Sequence, residues 1–193
     1  MKKRNRKERI VIGLTGGIAT GKTSVLNEFK KHGIKTISCD EISKKIYRRR
    51  TNVRKRIKKF FGTLNRKKIA EIIFSDVKKR KLLERILHPE IIKELNRLIT
   101  QSPNRLIVVD APLLFEADIP DMFGKIIVVY CPENVQIKRL AVRDRISVSD
   151  AKKRIRSQMQ MREKIKMADY VVDNSGSFAA TKKEIKKILD KLS

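Results

Sequence analysis

Gly16-Gly17-Ile18-Ala19-Thr20-Gly21-Lys22-Thr23 places a glycine on each side of a four-residue spacer and closes on a lysine and a hydroxyl. That is the spacing G-x-x-x-x-G-K-[ST], and its chemistry is the handling of phosphate. Glycines let the backbone turn so that successive N–H groups converge on one anion, and a helix beginning there adds the positive end of its dipole. In such a loop Lys22 neutralises the β- and γ-phosphates, and Thr23 offers its hydroxyl to Mg²⁺. A glycine-rich turn from strand to helix without a ligand is the bland reading; spacing, lysine and threonine together speak against it.

A phosphate loop names the donor, not the acceptor, so other polar residues must decide where the phosphoryl group goes. Asp40 follows the apolar run "IKTISC" and opens "EISKKI". It reads equally as an acid at the carboxyl edge of a sheet, where open α/β folds bind ligands, or as the N-cap of the next helix. Asp110 ends "RLIVVD" and suits the acid that holds the metal or its water, with a structural role as the alternative.

These residues need a frame. The runs 9–15, 34–39, 105–111, 125–131 and 169–174 are short, rich in Val and Ile, and bounded by turn formers, so they predict buried strands. Helical spacing between them, as in "TSVLNEFKKHG" ending on the C-cap candidate Gly33 and in "NVQIKRLAVRDR", predicts an α/β fold with a parallel sheet. From Asp40 to Ser102 no strand is expected, only amphipathic segments that break before Pro89. The reading is one domain: a core of 9–39, 103–146 and 167–193, a helical lobe inserted at 40–102, and an Arg- and Lys-rich helical lid at 147–166.

With 193 residues, 40% hydrophobic and 36% charged, the chain has material for one sizeable core. No apolar run approaches the roughly 20 residues of a bilayer span, and the basic "MKKRNRKER" start lacks a signal-peptide core, so no membrane is expected and the cytoplasm is. Cys39 and Cys131 stand apart and read as buried thiols. The balance of 48 Lys and Arg against 21 Asp and Glu, +27, raises nucleic acid as a partner. The cations are spread along the chain and aromatics are only 5%, so a specific nucleic-acid function is not expected. A basic RNA-binding protein that keeps a nucleotide as a structural ligand remains the rival from another class. The oligomeric state is left open.

Several stretches, in order, resemble the dephospho-CoA kinase family: "IGLTGGIATGKTSV", "GIKTISCDEIS", "RKLLERILHPEI", "VVDAPLLFEA", "VVYCPENVQIKRLAVRD" and "SQMQMREKIKMADYVVDNSGS". The resemblance runs over roughly residues 9 to 191, and the stretches beyond the loop are its more specific part. It implies a three-layer α/β/α fold of the P-loop NTPase type, with a five-stranded parallel sheet, a coenzyme-binding helical lobe and a lid. The implied reaction carries the γ-phosphoryl of ATP, with Mg²⁺, to the ribose 3′-hydroxyl of dephospho-CoA. By the same resemblance Gly16, Gly17, Ile18, Ala19, Thr20, Gly21, Lys22, Thr23 and Ser24 bind ATP, joined by Arg139, Arg143 and Asn174. Asp40, Lys22 and Arg139 take the catalytic roles. Asp40, His88, Pro89, Pro112, Leu113, Leu114 and Glu116 face the acceptor, and Thr23 and Asp110 hold the metal. Another nucleotide or nucleoside kinase of this architecture is the nearer rival.

The chain departs from the family pattern in places. Ala19 stands where glycine is usual, which matters if that residue needs a positive φ. Ser38 replaces a frequent acid two residues before Asp40, and a connection near Gly62 is short.

Overall fold

The computed structural model describes residues 9–192; the basic stretch 1–8 lies outside the described residues. In chain order the elements begin with β1 (Ile10–Gly16), α1 (Lys22–Lys31) and β2 (Lys35–Ser38). Four helices follow: α2 (Cys39–Arg49), α3 (Thr51–Phe61), α4 (Arg66–Ser75) and α5 (Val77–Gln101). Then come β3 (Leu106–Asp110), β4 (Lys125–Tyr130), α6 (Glu133–Asp144), α7 (Val148–Arg156), α8 (Met161–Lys166), β5 (Tyr170–Asp173) and α9 (Phe178–Leu192). The strands form one five-stranded sheet in the order β2-β3-β1-β4-β5, and the β1–β3, β1–β4 and β4–β5 pairs are parallel. The described residues divide into two compact units, 9–37 with 103–192, and 38–102.

In the first unit strand alternation sends side chains to opposite faces. Ile12 and Leu14 of β1 join Val108, Ile127, Val129 and Val172 under Val25, Leu26 and Phe29 of α1 and Ile185 and Ile188 of α9. Between Ile12 and Leu14, Gly13 faces the other way, where Leu114 and Phe123 fill the space a side chain would take. Each large apolar residue so buried is worth about 1.5–3 kcal/mol. The register pairs Leu14 with Asp110 and Gly16 with Val129, so the loop after β1 opens beside the carboxyl ends of β3 and β4. The order 3-1-4 makes β1 the place where the chain switches sides, the crevice that open α/β sheets use for ligands. Gly33, with φ 74°, closes α1 by donating its N–H to the Lys30 carbonyl at 3.0 Å.

The second unit is helical throughout, with Ile42, Ile46, Val53, Ile57, Phe61, Ile69, Ile86 and Leu95 buried. The expected break before Pro89 does not occur: α5 is one helix of 25 residues with Pro89 inside it. Proline removes one backbone hydrogen bond there. Ile86 and Leu95, on either side of it, are fully buried and hold both halves of the helix to the unit's core. Below Leu95, Glu94 accepts from Arg97 Nε at 2.9 Å and Nη2 at 2.8 Å, with Lys45 Nζ at 3.6 Å. The Arg97 hydrogen bonds hold its carboxyl down at about 2. Cys131 is buried as expected, whereas Cys39 is only half-buried, in the first turn of α2.

Candidate active site

The loop between β1 and α1 is built for an anion. Gly21 caps α1 in the left-handed region, φ 92°, and supplies no side chain to the first-turn N–H groups. The N–H groups of Ser24 and Val25 turn back onto the Gly21 carbonyl at 3.0 and 3.3 Å, and the loop presents the positive end of a ten-residue helix to an anion. Lys22 Nζ donates to the carbonyls of Gly16 at 3.0 Å and Gly17 at 3.2 Å, which lays its charge across the loop. Thr20 Oγ1 donates to the Gly17 carbonyl at 2.9 Å and tightens the turn from within. Ala19 does need the positive φ that the sequence left conditional: it sits at 60°, a conformation that costs an L-residue about 1–2 kcal/mol.

A second layer fixes the loop from behind. Asn174, buried after β5, donates its Nδ2 to the Thr20 carbonyl at 2.8 Å and accepts from Thr181 Oγ1 at 3.1 Å. Arg139 Nη2 donates to the Asn174 carbonyl at 3.0 Å, and its Nη1 reaches the Thr20 carbonyl at 3.5 Å. The structure therefore brings Arg139 and Asn174 to the loop. Arg143 lies one turn further along α6 with its Nε on Asp144 at 2.8 Å. That hydrogen bond, helped by the charge of Arg154, lowers the Asp144 carboxyl below its usual range.

The helices α7 and α8 come down on the same loop. Gln158, in the turn between them, accepts the Ile18 N–H at 2.8 Å. Glu116 accepts from the next residue's amide, Met159 N, at 3.2 Å and from Lys164 Nζ at 2.7 Å, a lysine with no exposed surface. Gln136 Oε1 and Met161 Cε crowd Gly17, at 2.8 and 3.1 Å from where a Cβ would stand, so a side chain there would have to displace them. A cavity of about 570 Å³ lies alongside, lined among others by Gly17, Gln136, Arg156, Gln158 and Arg162. Sequence reasoning missed Gln158, Gln136 and Lys164. A glutamine in a basic amphipathic stretch carries no signal of a partner 140 residues away.

The residues that could offer oxygens to a metal are Thr23, exposed in the first turn of α1, and Asp110 at the end of β3, one carboxylate oxygen of which is buried. Both are hard oxygen donors. They fit a cation such as Mg²⁺ that keeps several waters and shares phosphate oxygens, and among the described residues no group of three or more His, Cys, Asp or Glu offers a closed cage.

The remaining expected residues have varied places. Ser24, exposed, donates its N–H to the Gly21 carbonyl at 3.0 Å. Asp40 is exposed in the first turn of α2, two residues past the end of β2. It is not the cap: Ser38 is, accepting the Glu41 N–H at 3.4 Å, so the capping role falls to the residue that replaced the family's acid. His88 is half-buried and lies within α5, not at a helix boundary. Pro89 beside it is exposed. After β3, the Pro112 carbonyl accepts from Thr15 Oγ1 at 3.2 Å, Leu113 is exposed, and Leu114 is fully buried in the core. Leu114 thus acts by packing, and Glu116 by its grip on Met159 and Lys164.

The family model described as CoaE, dephospho-CoA kinase, matches residues 10–180. The chain belongs to the dephospho-CoA kinase family. A dephospho-CoA kinase of Carboxydothermus hydrogenoformans is 40% identical over 192 residues, 94% of this chain and 93% of that one. The solved dephospho-CoA kinase from Campylobacter jejuni is 30% identical with a TM-score of 0.67, covering 95% of this chain and 96% of that one. A solved Thermus thermophilus protein superposes with a TM-score of 0.84 at 30% identity, over 97% of this chain and 100% of that one. The five-stranded parallel sheet with a phosphate loop at its switch point is thus the fold this family uses, and the chain is a kinase of that family.

Proposed function

We propose that the chain transfers the γ-phosphoryl of ATP to the ribose 3′-hydroxyl of dephospho-CoA, giving CoA and ADP. Membership of the dephospho-CoA kinase family over residues 10–180 carries this reading, and the loop with Lys22 laid across it supplies the chemistry. Phosphoryl transfer asks the protein mainly for positioning and for charge set against phosphate oxygens. Lys22 and the α1 N-terminus neutralise the phosphates, and Arg139 stands ready at the nucleotide side of the loop. Thr23 and Asp110 would hold Mg²⁺, whose chemistry is to neutralise charge between the β- and γ-phosphates. Asp40 takes the proton of the acceptor hydroxyl as its oxygen bonds to phosphorus. By the family resemblance Pro89 and Leu113 serve the acceptor, and α7 and α8 form a basic lid that excludes water. Both substrates are polyanions, which suits a chain of charge +27. The setting is the cytoplasm, where ATP is at hand and cysteines such as the buried Cys131 stay reduced.

Locating the new phosphate tests the reading. With Mg-ATP and dephospho-CoA, phosphorus NMR of the product is expected to show a monoester on the ribose 3′-oxygen and one ADP formed per ester. ATP consumed with the acceptor unchanged, or phosphate on another oxygen, contradicts it.

A further inference from the structure

The contact between Gln158 and Ile18 has no role in the chemistry assigned so far. Gln158 is a neutral side chain, yet it reaches an N–H of the phosphate loop from the turn between α7 and α8, at 2.8 Å. The turn is itself anchored: Glu116 grips Met159 N at 3.2 Å and the fully buried Lys164 at 2.7 Å. A buried lysine surrenders its carboxylate only at high cost, so the base of α8 stays fixed while a single neutral hydrogen bond is cheap to break. Ile18 lies four residues ahead of Lys22, before the first-turn N–H groups that open α1. Gln158 can therefore stay bonded while phosphate fills the helix end. Arg156 and Arg162 line the same cavity as Gly17 and Gln158, beside the loop.

We propose that Gln158 is the latch between lid and phosphate loop: a positioning residue that, through the Ile18 N–H, keeps the arginine-bearing lid seated during phosphoryl transfer and directs the γ-phosphoryl to the acceptor instead of water. In transfer the acceptor hydroxyl oxygen bonds to the γ-phosphorus. The bond from that phosphorus to the β–γ bridging oxygen breaks with its electron pair remaining on ADP, and the hydroxyl proton passes to the base. In the side reaction a water oxygen makes the same attack and yields inorganic phosphate and ADP. A seated lid admits the first nucleophile and excludes the second. The inference rests on the kinase reading given above. A parent enzyme that makes no CoA defeats that reading, whereas a parent that makes CoA isolates the latch for testing.

The experiment compares the parent with Gln158→Met, which keeps the length of the side chain and loses the acceptor oxygen, and with Gln158→Glu, which keeps that oxygen. For each, acceptor-free ATP hydrolysis and CoA formation are measured, and their ratio is the readout. Gln158→Met is expected to raise the ratio about tenfold, the worth of one such hydrogen bond, with the KM for ATP within about threefold. Gln158→Glu is expected to bring the ratio back to within about threefold of the parent, since it restores the bond. A ratio unchanged in Gln158→Met, or one that Gln158→Glu fails to restore, overturns the latch. Independently of any variant, hydrogen exchange on the parent should show the Ile18 amide protected both without nucleotide and with a non-hydrolysable ATP analogue. Loss of that protection when the analogue binds means that the bond opens in the nucleotide-bound state and also overturns it.

Discussion

Ala19 and Asp40 show how much a single residue's conformation decides. Ala19 holds φ 60° in the middle of the phosphate loop, where glycine would sit without strain. Ala19→Gly removes about 1–2 kcal/mol of strain but loosens the unfolded chain by about 0.4–1 kcal/mol. The expected outcome is a gain of up to about 1 kcal/mol in urea unfolding with turnover little changed; a clear loss of stability would mean that the methyl group packs usefully. Asp40 had two readings in the sequence, base and cap, and the Ser38 bond to Glu41 removes the second. Asp40→Asn should therefore alter stability by less than about 1 kcal/mol, the scale of a charge at a helix N-terminus. Turnover should fall at least about a hundredfold. A kcat within a few-fold of the parent places the base elsewhere. Nothing in the sequence shows a φ, and a cap is settled only by which oxygen meets which N–H, so both answers had to come from coordinates.

At the scale of elements, the five strands were legible because runs such as "RLIVVD" and "KIIVVY" are β-branched, short and bounded by turn formers. Helix α5 was not legible as one element, since Pro89 is a strong local stop signal and only the burial of Ile86 and Leu95 overrides it. The latch was equally invisible: no local pattern links Gln158 to Ile18. On α5 the Glu94 carboxyl is held at about 2 against an ordinary 4.5 by its Arg97 hydrogen bonds. The unfolded chain thus takes up the proton first as pH falls. The stabilisation is complete above 4.5 and is lost on the way down to about 2. Because Arg97 is 46% exposed, water screens the pair, and about 1–2 kcal/mol is the expected scale. Glu94→Gln should be less stable than the parent by that amount at neutral pH, and the two urea midpoints should converge as pH falls through this window. A constant gap at every pH would show that the loss is one of packing.

At the scale of the whole molecule, the family membership unites features that composition alone left ambiguous. A charge of +27 first suggested nucleic acid, yet it is as well suited to an enzyme whose two substrates are polyanions. The phosphate loop names only the donor, and the acceptor is the part of the account most exposed to contradiction. The most direct measurement is kcat/KM with Mg-ATP for dephospho-CoA and, side by side, for a panel of nucleoside monophosphates. The expected result is a preference for dephospho-CoA of at least about a hundredfold, the discrimination of a site built around one acceptor. Comparable values for a nucleoside monophosphate, with dephospho-CoA inert, would contradict it.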